Sequence, residues 1–233
     1  MIRLVVFDMA GTTVDEDNVV YKTIRKAFHD AGCDISLDQV LQHGAGKEKL
    51  QAIKDILHAV SGINNDDRAL EIHTSFKTYL VEAYKDLDVS PVDGAENLFR
   101  YLKQQDIAVA LNTGYDGNTA FGLLRKLGWD DSDLINAVIT ASDVPRARPF
   151  PDMIKLAMFK TGIGDPQEVI KIGDSTIDIE EGQNARCKYS IGITGGAQTR
   201  DQLMLQRPDF VIDKLSELIP IVERENNISR SSN

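Results

Sequence analysis

The sequence has two cysteines, one tryptophan and no apolar run approaching the roughly 18 residues that a bilayer-spanning helix needs. Cys33 and Cys187 stand far apart, and neither belongs to a CxxC pair or a His/Cys cluster. That spacing argues against a disulfide framework and against a structural zinc site. The apolar start, Ile2 to Phe7, is interrupted by Arg3 and ended by Asp8. Neither a signal peptide nor a membrane anchor is expected, and a cytoplasmic setting is. Cations are scarce too: 26 Lys and Arg against 36 Asp and Glu leave a formal net charge of −10. They are scattered singly or in pairs, which excludes the clustered cations that a nucleic-acid partner demands. A small anionic ligand is still admitted, because one local site can outweigh a global field.

What is present is an ordinary globular composition, 42% hydrophobic and 27% charged, long enough for one large domain or two modest ones. Strand-length apolar runs recur at Leu4–Phe7, Ile107–Leu111, Ala137–Thr140, Val169–Ile172, Tyr189–Ile193 and Phe210–Ile212. Helical patterns separate them at Ala95–Gln105, Asn118–Leu127, Met153–Thr161 and Ile177–Ala185. Short buried strands alternating with helices predict a parallel α/β sheet. The rhythm breaks between Glu16 and Val89, where amphipathic helical stripes follow one another. These are Val20, Ile24, Ala27, Phe28 and Ala31, then Ile53, Ile56, Leu57 and Val60, then Phe76, Leu80, Val81 and Tyr84. The expected division is a core of residues 1–15 and 90–233 carrying an inserted helical domain, 16–89, on two turn-rich linkers. The amphipathic faces suit packing within this insert and equally a homodimer through it. The polar end, Glu223–Asn233, is expected to fray.

Four motifs follow strands. The first strand runs into Asp8-Met-Ala10-Gly-Thr-Thr-Val-Asp15, which sets a carboxylate at the carboxyl end of a parallel strand, where open α/β folds bind ligands. Asn112-Thr113-Gly114, Arg146-Ala-Arg148-Pro and Gly173-Asp174-Ser-Thr-Ile-Asp178 follow later strands. Together they offer a nucleophile, phosphate-oxygen donors, a fixed cation and acidic groups four residues apart that suit one metal ion.

In these motifs the chain resembles the haloacid dehalogenase superfamily over essentially its whole length. The resemblance implies a Rossmann-like parallel-sheet core with an inserted α-helical cap. It also implies that Asp8 forms an aspartyl-phosphate intermediate, that Thr113, Gly114 and Arg148 hold the transferring group, and that Asp8, the Ala10 carbonyl, Asp174 and Asp178 organise Mg²⁺. Superfamily phosphatases usually carry a second Asp two residues after the nucleophile, and here Ala10 fills that position. A methyl group transfers no proton. Ala10, together with Thr113-Gly114-Tyr115 and Asp143-Val-Pro-x-x-Arg148, is similar to the phosphonatase group. In that group a cap lysine forms a Schiff base with the substrate aldehyde, and Gly44-Ala-Gly-Lys47 matches the spacing. His43 stands where the group has methionine and Leu50 where it has histidine.

The expected function is therefore Mg²⁺-dependent hydrolysis of a small phosphonate or phosphorylated metabolite. Phosphonoacetaldehyde-like C–P cleavage leads, with Lys47 catalytic and His43, Gly44 and Tyr115 contacting substrate. The alternatives are a phosphomonoesterase of the phosphoglycolate phosphatase type and a catalytically weak metabolite-binding protein. Lys171 is weighed as an electrostatic aid or a strand end, and His29, His58 and His73 as surface or packing residues.

Overall fold

The computed structural model describes residues 1–62, 64–85 and 87–231. Six parallel strands form its main sheet: β1 (Leu4–Asp8), β4 (Ala108–Thr113), β5 (Ala137–Thr140), β6 (Val169–Gly173), β7 (Tyr189–Ile193) and β8 (Phe210–Ile212), in the spatial order β5-β4-β1-β6-β7-β8. Helices α5 (Ala95–Gln104), α6 (Gly117–Leu127), α7 (Asp152–Thr161) and α8 (Thr176–Ala185) connect them, followed by α9 (Arg200–Met204) and α10 (Leu218–Ser231). β1 is buried along its whole length. Val5 and Phe7 enter one apolar cluster and Leu4 and Val6 the other, as the two-residue period of a strand covered on both faces requires.

β1 is central, pairing with β4 on one side and β6 on the other. The chain winds outward in both directions from it, so the crevice beyond its carboxyl end is the topological switch point where open α/β sheets take their ligands.

Between β1 and α5 the chain forms β2 (Val14–Asp15), then α1 (Val19–Asp30), α2 (Leu37–Gly44), α3 (Lys49–Ser61) and α4 (Asp66–Lys85), then β3 (Ser90–Pro91). β2 and β3 pair antiparallel, so the two linkers read as turns are zipped into a short ribbon. Two residues are too few for a period-2 pattern to register in sequence. In the helical insert Val20, Ile24, Ala27, Phe28, Ile53, Ile56, Leu57, Phe76 and Leu80 are buried, as their stripes predict. Val81 departs from its stripe, being 63% exposed. The expectation that the tail frays is corrected for Glu223 to Ser231, and Ser232 and Asn233 lie outside the described residues. Glu223 to Ser231 continue α10, tied down where Asn226 accepts from the Ile2 amide at 2.6 Å and Glu225 accepts from the Tyr189 hydroxyl at 2.8 Å. Among the described residues no helix is long and apolar enough to cross a membrane.

Candidate active site

Asp8 closes β1 in register with Asn112 of β4. Behind it the chain turns sharply. The Thr13 hydroxyl donates to the Asp8 carbonyl at 2.9 Å, and the Gly11 amide donates to the Val14 carbonyl at 2.9 Å. Gly11 has φ 78°, and a side chain there would overlap the Asp174 carboxylate. Glycine is needed both for the turn and for the approach of the β6 loop.

Arg148, delivered by the loop after β5, ties the strands' ends together. Its Nη2 donates to Asp8 Oδ1 at 2.6 Å and to the Asn112 carbonyl at 2.7 Å. Its Nη1 lies 2.9 Å from Asp178 Oδ1, and its Nε lies 3.3 Å from Glu181 Oε2. Lys171, fully buried on β6, donates to Asn112 Oδ1 at 2.7 Å and pairs with Asp178 at 2.9 Å. Lys171 is therefore part of the charged cluster and more than a strand end.

Four carboxyl groups, those of Asp8, Asp174, Asp178 and Glu181, thus face two cations, Arg148 and Lys171. Burial works against the Arg148 charge, but Asp178, Asp8 and Glu181 outweigh it and hold its pKa above the ordinary value. Asp178 is the reverse case, since Arg148 and Lys171 overcome burial and keep its carboxyl below the usual range. Asp174 has no such partner: among the described residues no cationic side chain lies within ion-pair distance. Burial, then Asp8 and Asp178, push its carboxyl well up. Burial also raises Asp8, against the pull of Arg148. One ligand oxygen each from Asp8, Asp174 and Asp178 lies within 4.8 Å of the others. Four carboxyl groups against two cations, with oxygen donors converging on one point, fit a hard divalent cation such as Mg²⁺.

The helical insert closes over this cluster. The Gly46 carbonyl accepts from Arg148 Nη1 at 3.3 Å, and the Gly46 amide donates to the Tyr21 hydroxyl at 3.0 Å. A Cβ on Gly114 would stand 2.7 Å from the Lys47 carbonyl oxygen, so only glycine lets the β4 loop and the 44–47 loop meet. Thr113 is buried beside them, its hydroxyl accepting from the Tyr115 amide at 3.2 Å.

The side chains on the 44–47 loop go elsewhere. Lys47 is half-buried with its ammonium on Asp55 of α3. Gly44, the last residue of α2, packs against Ile56 inside the insert, and His43 precedes it, half-buried, with no hydrogen bond to the charged cluster. The lysine that turns inward is Lys49, 7% exposed at the start of α3. Its Nζ donates to the Lys47 carbonyl at 2.7 Å and lies 4.9 Å from the centre of the Tyr115 ring and 5.4 Å from that of Tyr21. The Tyr115 hydroxyl in turn donates to Glu16 Oε1 at 3.1 Å, and Glu16 Oε2 is buried without a hydrogen-bond partner among the described residues. Burial pushes the Glu16 carboxyl up to about 7. A cavity of about 1030 Å³ runs outward from Lys49, Gly114 and Tyr115 between α4 and α6, with Tyr84, His73 and Arg125 on its walls.

Sequence reasoning missed Lys49, Glu16 and Glu181. Glu181 carried a signal, since it lies one helical turn beyond Asp178. Lys49 and Glu16 carried none beyond their charge.

The haloacid dehalogenase-like hydrolase profile matches residues 5–191, the stretch from β1 to β7 that holds every strand-end residue described above. The chain belongs to this family. It is a hydrolase of the α/β Rossmann-like type, similar to the phosphonatase group within the superfamily. A phosphonoacetaldehyde hydrolase of Parabacteroides distasonis is 28% identical over 259 residues, covering 96% of each chain. The pyrophosphatase PpaX of Listeria monocytogenes is 25% identical over 226 residues, covering 96% of this chain and 98% of its own. A crystal structure of a phosphonoacetaldehyde hydrolase like protein from Oleispira antarctica superposes with a TM-score of 0.83 at 21% identity. It covers 97% of this chain and 93% of its own, a likeness of fold.

Proposed function

We propose that this hydrolase cleaves a small phosphonate or phosphorylated metabolite through an aspartyl-phosphate on Asp8, with Mg²⁺ as cofactor. A phosphonoacetaldehyde-like substrate, cut at its C–P bond, is the leading candidate. The observation that carries the reading is Asp8 held at 2.6 Å by a fully buried Arg148 within a carboxyl cluster short of cations, with Ala10 where an ester hydrolase would carry an acid.

In this mechanism Asp8 supplies the attacking carboxylate oxygen. Arg148 takes the growing charge of the transferring group, and the Thr113 hydroxyl and the backbone at Gly114 orient its oxygens. Asp8, Asp174, Asp178 and the Ala10 carbonyl would hold Mg²⁺. An ion held there would supply positive charge to offset that on the phosphoryl oxygens. The insert excludes water while the Gly46 carbonyl rests on Arg148.

A second reading, a phosphomonoesterase of the phosphoglycolate phosphatase type, is favoured by one observation: Asp55 occupies the Lys47 ammonium that an imine would need. The test is Mg²⁺-dependent phosphate release from phosphonoacetaldehyde and phosphoglycolate in parallel, with Asp8→Asn as control. Release from the phosphonate, lost in Asp8→Asn, supports the leading reading, and release from phosphoglycolate alone selects the second. No release from either, with tight binding of a phosphate analogue, leaves a metabolite-binding protein.

A further inference from the structure

We propose that Lys49 is the proton-transferring group of this site, serving the leaving group and the attacking water, and that Glu16 and Tyr115 hold it in position. The inference rests on the Asp8 hydrolase reading and supplies the work that the Ala10 methyl group cannot do.

Three observations place the amine there. Lys49 Nζ and a Cβ built on Gly114 would both stand 2.7 Å from one atom, the Lys47 carbonyl oxygen, so the amine lies alongside the loop that orients the phosphoryl group. Lys49 is among the residues lining the cavity that opens beside Gly114 and Tyr115, the space that would receive a leaving group. An ammonium has three donors, and the Lys47 carbonyl is the one hydrogen-bond acceptor that Lys49 Nζ uses among the described residues. Its other two N–H groups have no hydrogen-bond acceptor among the described residues.

Its surroundings suit the task. Tyr21 of α1 and Tyr115 of the β4 loop present their rings, Glu16 approaches from the β2 linker, Asp8 and Arg148 from the core, and Glu48 from its own helix start. Burial, with Arg148 adding to it, lowers the amine to about 8 against the pull of Asp8, Glu16 and Glu48. A group titrating near neutrality gives and takes protons with similar ease. The unpartnered Oε2 of Glu16 leaves that carboxyl free to balance the amine's charge as it changes.

The steps balance. An Asp8 oxygen forms a bond to phosphorus as the bond from phosphorus to the leaving atom breaks. That atom keeps the electron pair and takes a proton from the Lys49 ammonium. Water then bonds to phosphorus, the Asp8–phosphorus bond breaks, and the water's proton returns to the Lys49 amine. One water is consumed, and Lys49 ends as it began.

The experiment compares the wild type with Lys49→Gln and Lys49→Arg on phosphoglycolate and p-nitrophenyl phosphate, by rapid-mix kinetics from pH 6 to 10. Nitrophenolate departs without a proton, whereas an alkoxide needs one. In Lys49→Gln the first step should fall by about 10²-fold or more with phosphoglycolate. With p-nitrophenyl phosphate the same variant should give a stoichiometric burst followed by slow phosphate release. Lys49→Arg should behave like Lys49→Gln, because a guanidinium keeps its proton. The wild-type first step with phosphoglycolate should decline as the amine loses its proton, and the variants should show no such limb. Equal losses of the first step on both substrates, rescue by Lys49→Arg, or borohydride trapping of phosphonoacetaldehyde on Lys49 would each overturn the proposal while the Asp8 reading stands. Failure of the wild type on both esters overturns the proposal, and failure on phosphonoacetaldehyde as well overturns the Asp8 reading with it.

Discussion

Lys171 shows how far a single buried charge is committed. Its ammonium is shared among Asn112, Asp178 and Glu181 with no exposure to water. Removing one partner of such a pair leaves uncompensated carboxylates in a low-dielectric interior. Lys171→Met should therefore destabilise the fold by about 3–5 kcal/mol in urea titrations, while Lys103→Met, at an exposed pair with Asp133, should change it by less than about 1 kcal/mol. Glu16 makes a pH-dependent prediction. Its carboxyl holds a proton in the folded chain up to about 7, whereas the unfolded value is 4.5. Between those values the folded state binds more protons, so this group's contribution to stability falls as pH rises through the window and is flat above it. Glu16→Gln lacks that slope. Relative to wild type it should gain stability from pH 4.5 to 7, on the order of 1–3 kcal/mol. Paired melts at pH 5 and pH 8 check this, and a gain confined to acid pH would contradict the burial argument.

Among the elements, the loop between α2 and α3 decides whether the site is assembled. Gly46 has φ 71°, and a Cβ there would run into Ile177 and Ser175 of the core. Gly46→Ala should keep the loop from seating, so kcat/KM should drop by about 10²-fold, the effect of displacing positioning groups by roughly an ångström. The melting temperature should fall by a few degrees as well, because alanine is strained at that φ. The helix start explains which lysine turns inward. Glu48 caps α3, its carboxylate accepting from the amides of Leu50 and Gln51 at 3.0 Å each. Lys47 therefore precedes the helix and reaches back to Asp55, while Lys49 sits on the first turn above Tyr115. The Gly-Lys-Glu-Lys string does not distinguish the two, and the choice follows from where the first helical turn begins.

Across the whole molecule, a cation bound at the acidic cluster of the switch point would couple its binding to folding. A cation that binds the folded carboxylates and not the unfolded chain stabilises by mass action, about 2.7 kcal/mol at one hundred times its dissociation constant. For a chain of this size that amounts to a rise of roughly 5–10 °C in melting temperature. Mg²⁺ should produce it, EDTA should reverse it, and Asp174→Asn should abolish it. An unchanged melt in saturating Mg²⁺ would disprove the fit of ion to site.

The sequence by itself determined the alternation of strand and helix, the buried periodicity of both, the placing of Asp8, Thr113 and Asp174 at or just past strand ends, and that of Arg148 on the loop after a strand. Those features are local, since a strand's apolar run and the polar residue that ends it are adjacent in the chain. The pairing of Val14–Asp15 with Ser90–Pro91, the continuation of α10 to Ser231 and the exposure of Val81 were settled by tertiary packing. So was the meeting of Glu16 with Tyr115, residues 99 positions apart. The reason is physical. Lys49 and Glu16 are ordinary surface types until the helical insert docks on the core, and only that docking removes the water that would otherwise solvate them.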